Sequence, residues 1–372
     1  MKHKIALLSV FVLVGTAVAV DSLNFRLIGF HQMSNTAFDI AVDSDYALIT
    51  DINRSLRVIS VADPAHLREV GHFDTTCSYW GPTIIKENYV YLPDSGPGVH
   101  VISIADPGNP AEVGFLNTPS YVGGIAAAGQ YAYMAGGRRF LVVSVADPAN
   151  PAIVASCDTT DTMVSGVAVS GNYAYVMDYS EGLRVISIAD PLHPVEVGHC
   201  DLSYTYRVAV SGSYVWAGGL DGSSVISVAD PAHPTKLGSH GVGHVSAVAL
   251  DGDMVYEAAS GWLLAVSIAD PRNPVEVGHY FANNDAQGIT LAHGYVFEAS
   301  SIGLLILQYY GSGVEETPDA ELRAPNVKPT FSRSLPAGGV LFDAMGRKVV
   351  NPRAGVYFLR DGGGTKKVVV QR

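Results

Sequence analysis

Histidines, cysteines and loop aromatics are the side chains of this 372-residue chain whose types and spacing could do chemistry. His72, His199 and His279 recur at one place in a repeating phrase, and His66, His193 and His233 at another. Matched imidazoles are a pattern seen in metal sites. Here Asn109, Asn150 and Asn273 fill the slot of His66 in other copies, and the copies lie 40 to 43 residues apart. These histidines therefore read as turn and outer-strand residues, and no metal is expected. Cys157 and Cys200 are repeat equivalents, with Cys77 a few residues further along in its own copy. A disulfide needs Cα atoms within about 7 Å, and equivalent points of neighbouring units stand further apart, so free, mostly buried thiols are expected. No HExxH, GxSxG, Walker loop or strand-following GxGxxG is present, so the chain carries no enzyme signature and implies no cofactor.

The elements that hold these residues come from one repeat. Ser-Val/Ile-Ala-Asp-Pro occurs six times, with its aspartates at Asp63, Asp106, Asp147, Asp190, Asp230 and Asp270. Tyr46, Tyr89, Tyr131, Tyr173, Tyr214, Met254 and Tyr295 mark a second equivalent place and raise the number of units to seven. Val and Ile dominate short runs broken by Gly or Pro, which fits strands rather than helices. A period near 40 with four short strands per unit is that of propeller blades. In the fourth unit these strands are Val167–Val169, Tyr173–Met177, Leu183–Ile188 and Val195–His199. Asp190-Pro191 opens the turn before the last of them, because Pro presets φ and Asp bonds to the backbone beyond.

The expected fold is all-β: a seven-bladed β-propeller of four-stranded blades with a small C-terminal β-module. The last unit ends with a third strand, Leu304–Leu307, while Phe25–Phe30 carries a spare fourth-strand phrase. Pairing the two closes the ring and removes its open edges.

In such a ring the fourth-to-first and second-to-third strand loops share one face. The former are irregular while the strands repeat, and rigid scaffolds carry function in loops of this kind. Candidate binding residues there are Tyr79, Trp80, Tyr121, Tyr204, Tyr206, Arg207 and Asp285. The second-to-third loops add Arg138, Arg139, Tyr179 and Trp262. Aromatic rings beside amides and carboxylates suit a polar ligand such as a glycan or peptide. Arg138-Arg139 is a basic spot on an acidic body and suits an anionic group. The same aromatics also suit packing beneath loops.

Composition bounds the function. Net charge is -12 and 16% of residues are charged, which disfavours nucleic acid as a partner. Residues 20–311 hold 11 Lys/Arg against 29 Asp/Glu, whereas residues 312–372 hold 10 against 6. The shift falls at a turn-rich segment, 312–328, that reads as a linker. Residues 1–19 read as a secretory signal: basic Lys2, His3 and Lys4, an apolar run from Ile5, and the small-x-small site Ala17-Val18-Ala19. The run is short for a span of about 20 residues, so no transmembrane segment is expected after cleavage.

Leu-Arg-Val-Ile-Ser-Val-Ala-Asp-Pro, from Leu56 to Pro64 and again near Leu183 to Pro191, resembles the LVIVD repeat family. Ser60, Ser103, Ser144, Ser187, Ser227 and Ser267 stand where that family usually has the Asp of its "VD", and Ala62 and its equivalents replace the usual Ser. The resemblance covers about residues 23–311. It implies a β-propeller of the secreted or cell-surface type and no defined activity. Val340–Val349, Ala354–Arg360 and Lys366–Arg372 look like the C-terminal sorting domain of the type IX secretion system, which implies that residues 329–372 address that machinery. The combined expectation is a secreted or outer-surface binding and scaffold protein. Two alternatives stay open: an extracellular hydrolase or lyase with a site assembled from several blades at the channel mouth, and a structural envelope component without a small ligand.

Overall fold

The computed structural model describes residues 22–311, apart from 53–54, 75–80, 160–162 and 282–285, and four strands between 340 and 370. Every regular element among them is a β-strand, and among them no helix is long and apolar enough to cross a membrane.

Seven antiparallel sheets form the ring. In the fourth blade the strands are Val164–Ser170, Tyr173–Asp178, Gly182–Ser187 and Val195–Cys200, paired in sequence order from the channel outward. The innermost strands adjoin one another around the channel, and Ala286–Ala292 of the seventh blade returns to Ala37–Asp43 of the first. Closure follows the expected route. Phe25–Gln32 pairs with Gly303–Tyr309, running from Phe25 opposite Tyr309 to Gln32 opposite Gly303, and completes the seventh blade. Ser22–Leu23 was not foreseen as a strand; it adds an edge to the sixth blade beside His279 and Tyr280.

Apolar packing lies between blades. Each pair of neighbours shares a buried cluster, such as Tyr175, Leu183 and Val185 of the fourth blade against Val215, Ala217 and Ile226 of the fifth. Second strands are covered on both faces, so they read as near-continuous apolar runs without alternation.

The repeat phrase explains the joints. In each Asp-Pro turn the Asp carboxylate takes the backbone N–H two residues on and the side chain three residues on: His66, His193 and His233 through Nδ1, all at 2.8 Å, and Asn109, Asn150 and Asn273 at 2.7–2.9 Å. The side-chain bonds from His66, His193, His233 and Asn273 are the first cause holding Asp63, Asp190, Asp230 and Asp270 below the usual carboxylate range. The turn of one blade then docks on the outer strand of the blade before it. A Cβ at Gly71, Gly114, Gly198 or Gly238 would come well inside 3.0 Å of the carbonyl of Pro107, Pro148, Pro231 or Pro271. Glycine gives these four blades that close approach, while the third blade has Ala155 at the equivalent place.

Six of the seven inner strands carry a bulge at their second residue, as between Val164 and Gly166 or Thr205 and Arg207. A bulge re-aims side chains, and here it brings second and third residues alike to the channel. A separate C-terminal unit holds the antiparallel strands Val340–Phe342, Lys348–Val349, Gly355–Asp361 and Gly364–Val370.

Candidate functional site

Counting back from the equivalent tyrosines, the third inner-strand residue is Asp39, Pro82, Gly124, Gly166, Arg207, Ala247 and Gly288 in blades one to seven. Five of the seven are small or cyclic. The reason is steric: a Cβ at Gly166 would lie 2.7 Å from the Tyr206 carbonyl, and one at Gly288 would lie 2.8 Å from Asp39 Oδ1. Against that background the channel carries, among the described residues, one acid and one base. They line a cavity of about 130 Å3 to which all seven blades contribute.

Both charges are anchored. Arg207 Nε donates to the Ser246 carbonyl at 2.6 Å, and its guanidinium lies 5.7 Å from the centre of the Tyr206 ring. Asp39 Oδ2 accepts the Thr83 backbone N–H. Burial pushes the Asp39 carboxyl up to about 6, against the opposing pull of the Thr83 amide and the Arg207 charge. Burial likewise draws the Arg207 guanidinium down, opposed by Asp39. The two groups stabilise each other's ionised form across the channel.

Aromatics surround the mouth on the side of blades four to six. Tyr179 and Tyr204 meet edge to face at 5.6 Å, and the Tyr204 N–H donates to the Tyr179 carbonyl at 2.8 Å. Tyr204 is 49% exposed and sits at φ +57. A bulky residue in the left-handed region costs energy that glycine would not. Tyr206 faces His244 at 5.9 Å, and among the described residues its buried hydroxyl has no hydrogen-bond partner, nor has that of Tyr121. Burial pushes both phenols up. A second cavity of about 160 Å3 lies beside His244 and shares Gln287 with the channel. Its wall is Trp262, whose indole packs on Phe281 at 4.5 Å and His279 at 5.2 Å.

The structure thus brings together Tyr179, Tyr204, Tyr206, Arg207 and, through the His244 cavity, Trp262. Tyr79, Trp80 and Asp285 lie outside the described residues. Arg138 and Arg139 are exposed on the third blade, where Arg139 Nε meets Asp158 Oδ1 at 2.7 Å, and no contact among the described residues joins them to the aromatic group. Cys157 and Cys200 are free thiols, half-buried rather than buried, and burial pushes both up. Among the described residues no group of three or more His, Cys, Asp or Glu is placed to hold a metal ion.

Three carboxylates escaped the sequence reading. Asp39 is one. Glu257 and Glu298 occupy the same second-strand position in the sixth and seventh blades, where the other blades have Ile49, Leu92, Met134, Val176 and Ala217. Glu257, 0% exposed, accepts from Trp216 Nε1 at 2.6 Å and His240 Nδ1 at 2.9 Å. Glu298 is 1% exposed, and its Oε2 has no partner among the described residues. Burial alone pushes it up to about 7. The signal that would have found them is a charge in a column of apolar equivalents, which demands aligning the copies position by position.

The LVIVD repeat matches residues 35–75, 83–118, 119–159, 162–202 and 242–282, more than half of the chain. The matched windows leave out 203–241, the fifth blade, and the seventh-blade strands between 286 and 309. No curated protein matches. Among solved structures, the WD40 repeats of RRP9 are similar at a TM-score of 0.64 and 11% identity, covering 78% of this chain and 100% of that one. The computationally designed Ika8 protein gives 0.57 at 13% identity, covering 76% and 99%. BamB from Moraxella catarrhalis gives 0.54 at 13% identity, covering 75% and 85%. At these identities the likeness concerns the fold alone.

Proposed function

The chain belongs to the family defined by the LVIVD repeat, and from that premise we propose that it is a binding and scaffold protein whose ligand site is the aromatic mouth over blades four to six. The observation that carries this reading is the convergence of Tyr179, Tyr204, Tyr206 and Trp262 on a channel floored by Asp39 and Arg207. Stacking faces at the rim and one acid with one base beneath suit a polar, elongated ligand, a glycan or a peptide, with a ring or side chain laid on the tyrosines. Binding is favoured over hydrolysis because aromatics dominate the described part of the mouth. His244 there faces a tyrosine ring rather than a carboxylate.

Export completes the proposal. Residues 1–19 carry the features of a cleaved leader, and residues 329–372 resemble a type IX sorting domain. Their partner would be that secretion machinery, and the protein's place the extracellular medium or the outer surface. Mass spectrometry of the extracellular fraction tests the route: the processed chain is expected there, and an intact chain confined to the cytoplasm would contradict it.

The binding reading is tested on a glycan and peptide array with the wild type, Tyr204→Ala and Trp262→Ala. Retention of a defined ligand set by the wild type, reduced at least tenfold in both variants, is the expected result. Equal retention by all three proteins rejects the mouth.

A further inference from the structure

Polar groups withdrawn from water are normally hydrogen-bonded, and the channel holds an exception. The Arg207 guanidinium is a fork of N–H donors. Its Nε donates to the Ser246 carbonyl at 2.6 Å. Its two terminal nitrogens meet no acceptor among the described residues, and they are not sealed in the core. Asp39, on the first blade, is in the complementary state. Its Oδ2 accepts the Thr83 amide. Burial still pushes the carboxyl up to about 6, although Arg207 draws it down. The two residues form no ion pair with each other; they interact through space across the channel.

Both face one cavity of about 130 Å3, lined otherwise by uncharged groups such as Pro82, Gly166 and Gly288. At roughly 30 Å3 per water, that is the volume of about four waters. It falls short of the roughly 300 Å3 at which pockets for drug-sized molecules begin. Desolvated charges are stable only when paired and hydrogen-bonded. Here a base lacks acceptors, an acid lacks donors, and the same small space lies between them.

We propose that the channel is a binding site for a small zwitterion, a free α-amino acid with a short side chain, its carboxylate on the Arg207 fork and its ammonium on Asp39. A guanidinium matches a carboxylate bidentately, and an ammonium brings donors to the acid. An α-amino acid carries both charges on one carbon, so one small molecule presents both. A peptide end does not, because forming the amide removes one of the two charges. Asp39 and Arg207 also floor the mouth on which the binding reading rests, whereas the stacking rings take no part here.

Titration calorimetry and saturation-transfer NMR on the full chain test the site, with glycine, L-alanine and L-serine as probes. Acetate and methylammonium are the comparisons. Each carries one of the two charges and is smaller than the probes, so size does not exclude it. At least one amino acid is expected to bind the wild type, at least tenfold more tightly than either comparison. Asp39→Asn keeps the shape of the side chain; it should weaken that amino acid about tenfold, the worth of one charge-assisted hydrogen bond, and remove its advantage over acetate. Arg207→Lys keeps the charge but loses the fork, and should weaken binding by a similar factor. His193→Ala, in an exposed turn of the fourth blade, should leave binding unchanged. Circular dichroism checks that each variant is folded. Absence of a signal with every amino acid, acetate binding as tightly as the amino acid to the wild type, or undiminished affinity in folded Asp39→Asn or Arg207→Lys would each overturn the proposal. Array retention without amino-acid binding would sink the channel site and leave the mouth standing. Amino-acid binding without array retention would do the reverse.

Discussion

The fourth and fifth blades share one plan of four strands, one bulge and one Asp-Pro turn, yet they put different side chains on it. At the channel the fourth blade has Ser165-Gly166 where the fifth has Tyr206-Arg207. Behind it, Leu183-Arg184 faces Cys200 in one, and Ser223-Ser224 faces His240 in the other. Arg184 is tied to Glu196 at 2.9 Å and to Glu181, a pairing the fifth blade lacks. The repeat match includes the fourth blade and leaves out the fifth, although the strand register is the same. The difference teaches that propeller geometry depends on few positions: the turn aspartate, the docking glycine and the doubly covered second strand. Between those positions a copy is free to carry a site.

The largest test of this contrast uses two carboxylates at one repeat position. Glu257→Ala would strand the buried Trp216 N–H and leave a void, for a loss of about 4 kcal/mol from an orphaned donor plus a cavity. Chemical denaturation would measure it. Glu298→Gln should act with the opposite sign. Its carboxyl is raised from 4.5 to about 7 in the folded chain, so the native state keeps a proton that the unfolded chain has released between those values. Stability therefore falls as pH rises through that window, by about 1.4 kcal/mol per unit. Glu298→Gln removes the loss and should stabilise the protein by about 3 kcal/mol above pH 7, with little change below pH 4. Urea midpoints at pH 4 and pH 8 decide it, and a destabilised Gln variant at pH 8 would show that the site holds its charge.

Smaller effects sharpen the same comparison at the surface. Tyr204→Gly relieves the positive φ and should add about 1 kcal/mol while reducing ligand retention, since strain kept in an exposed loop marks use rather than packing. A thermal melt and an array read on the same sample would separate the two. His193→Ala, in the turn of the fourth blade, should leave the melting temperature within error of wild type, because both partners of its hydrogen bond are exposed. A large shift there would mean that the turn holds neighbouring blades together through the histidine rather than through the docking glycine.

Much of the fold was legible because period, turn chemistry and strand character agree. Asp-Pro, the following glycine and the tyrosine (Met254 in the sixth blade) that opens each second strand located blades, turns and the closing strand. The mouth was legible in part. Tyr179, Tyr204, Tyr206, Arg207 and Trp262 stood out as aromatics and a base in irregular loops, and they do converge. Arg138 and Arg139 stood out for charge alone and do not join them. Asp39, Glu257 and His240 were missed because each is ordinary in its local phrase. Their meaning comes from neighbours in adjacent blades: Thr83 beside Asp39, 44 residues on, and Trp216 and His240 beside Glu257, 41 and 17 residues back. Local patterning predicts strands; it does not say which side chains meet across blades.

The claim at the centre is that the fifth-blade pair Tyr206-Arg207 makes the mouth a ligand site. Converting it to the fourth-blade pair, Tyr206→Ser with Arg207→Gly, and reading array retention beside far-ultraviolet circular dichroism tests this directly. The account predicts an unchanged β spectrum and lost retention of every ligand the wild type holds. Undiminished retention by the folded double variant would contradict it.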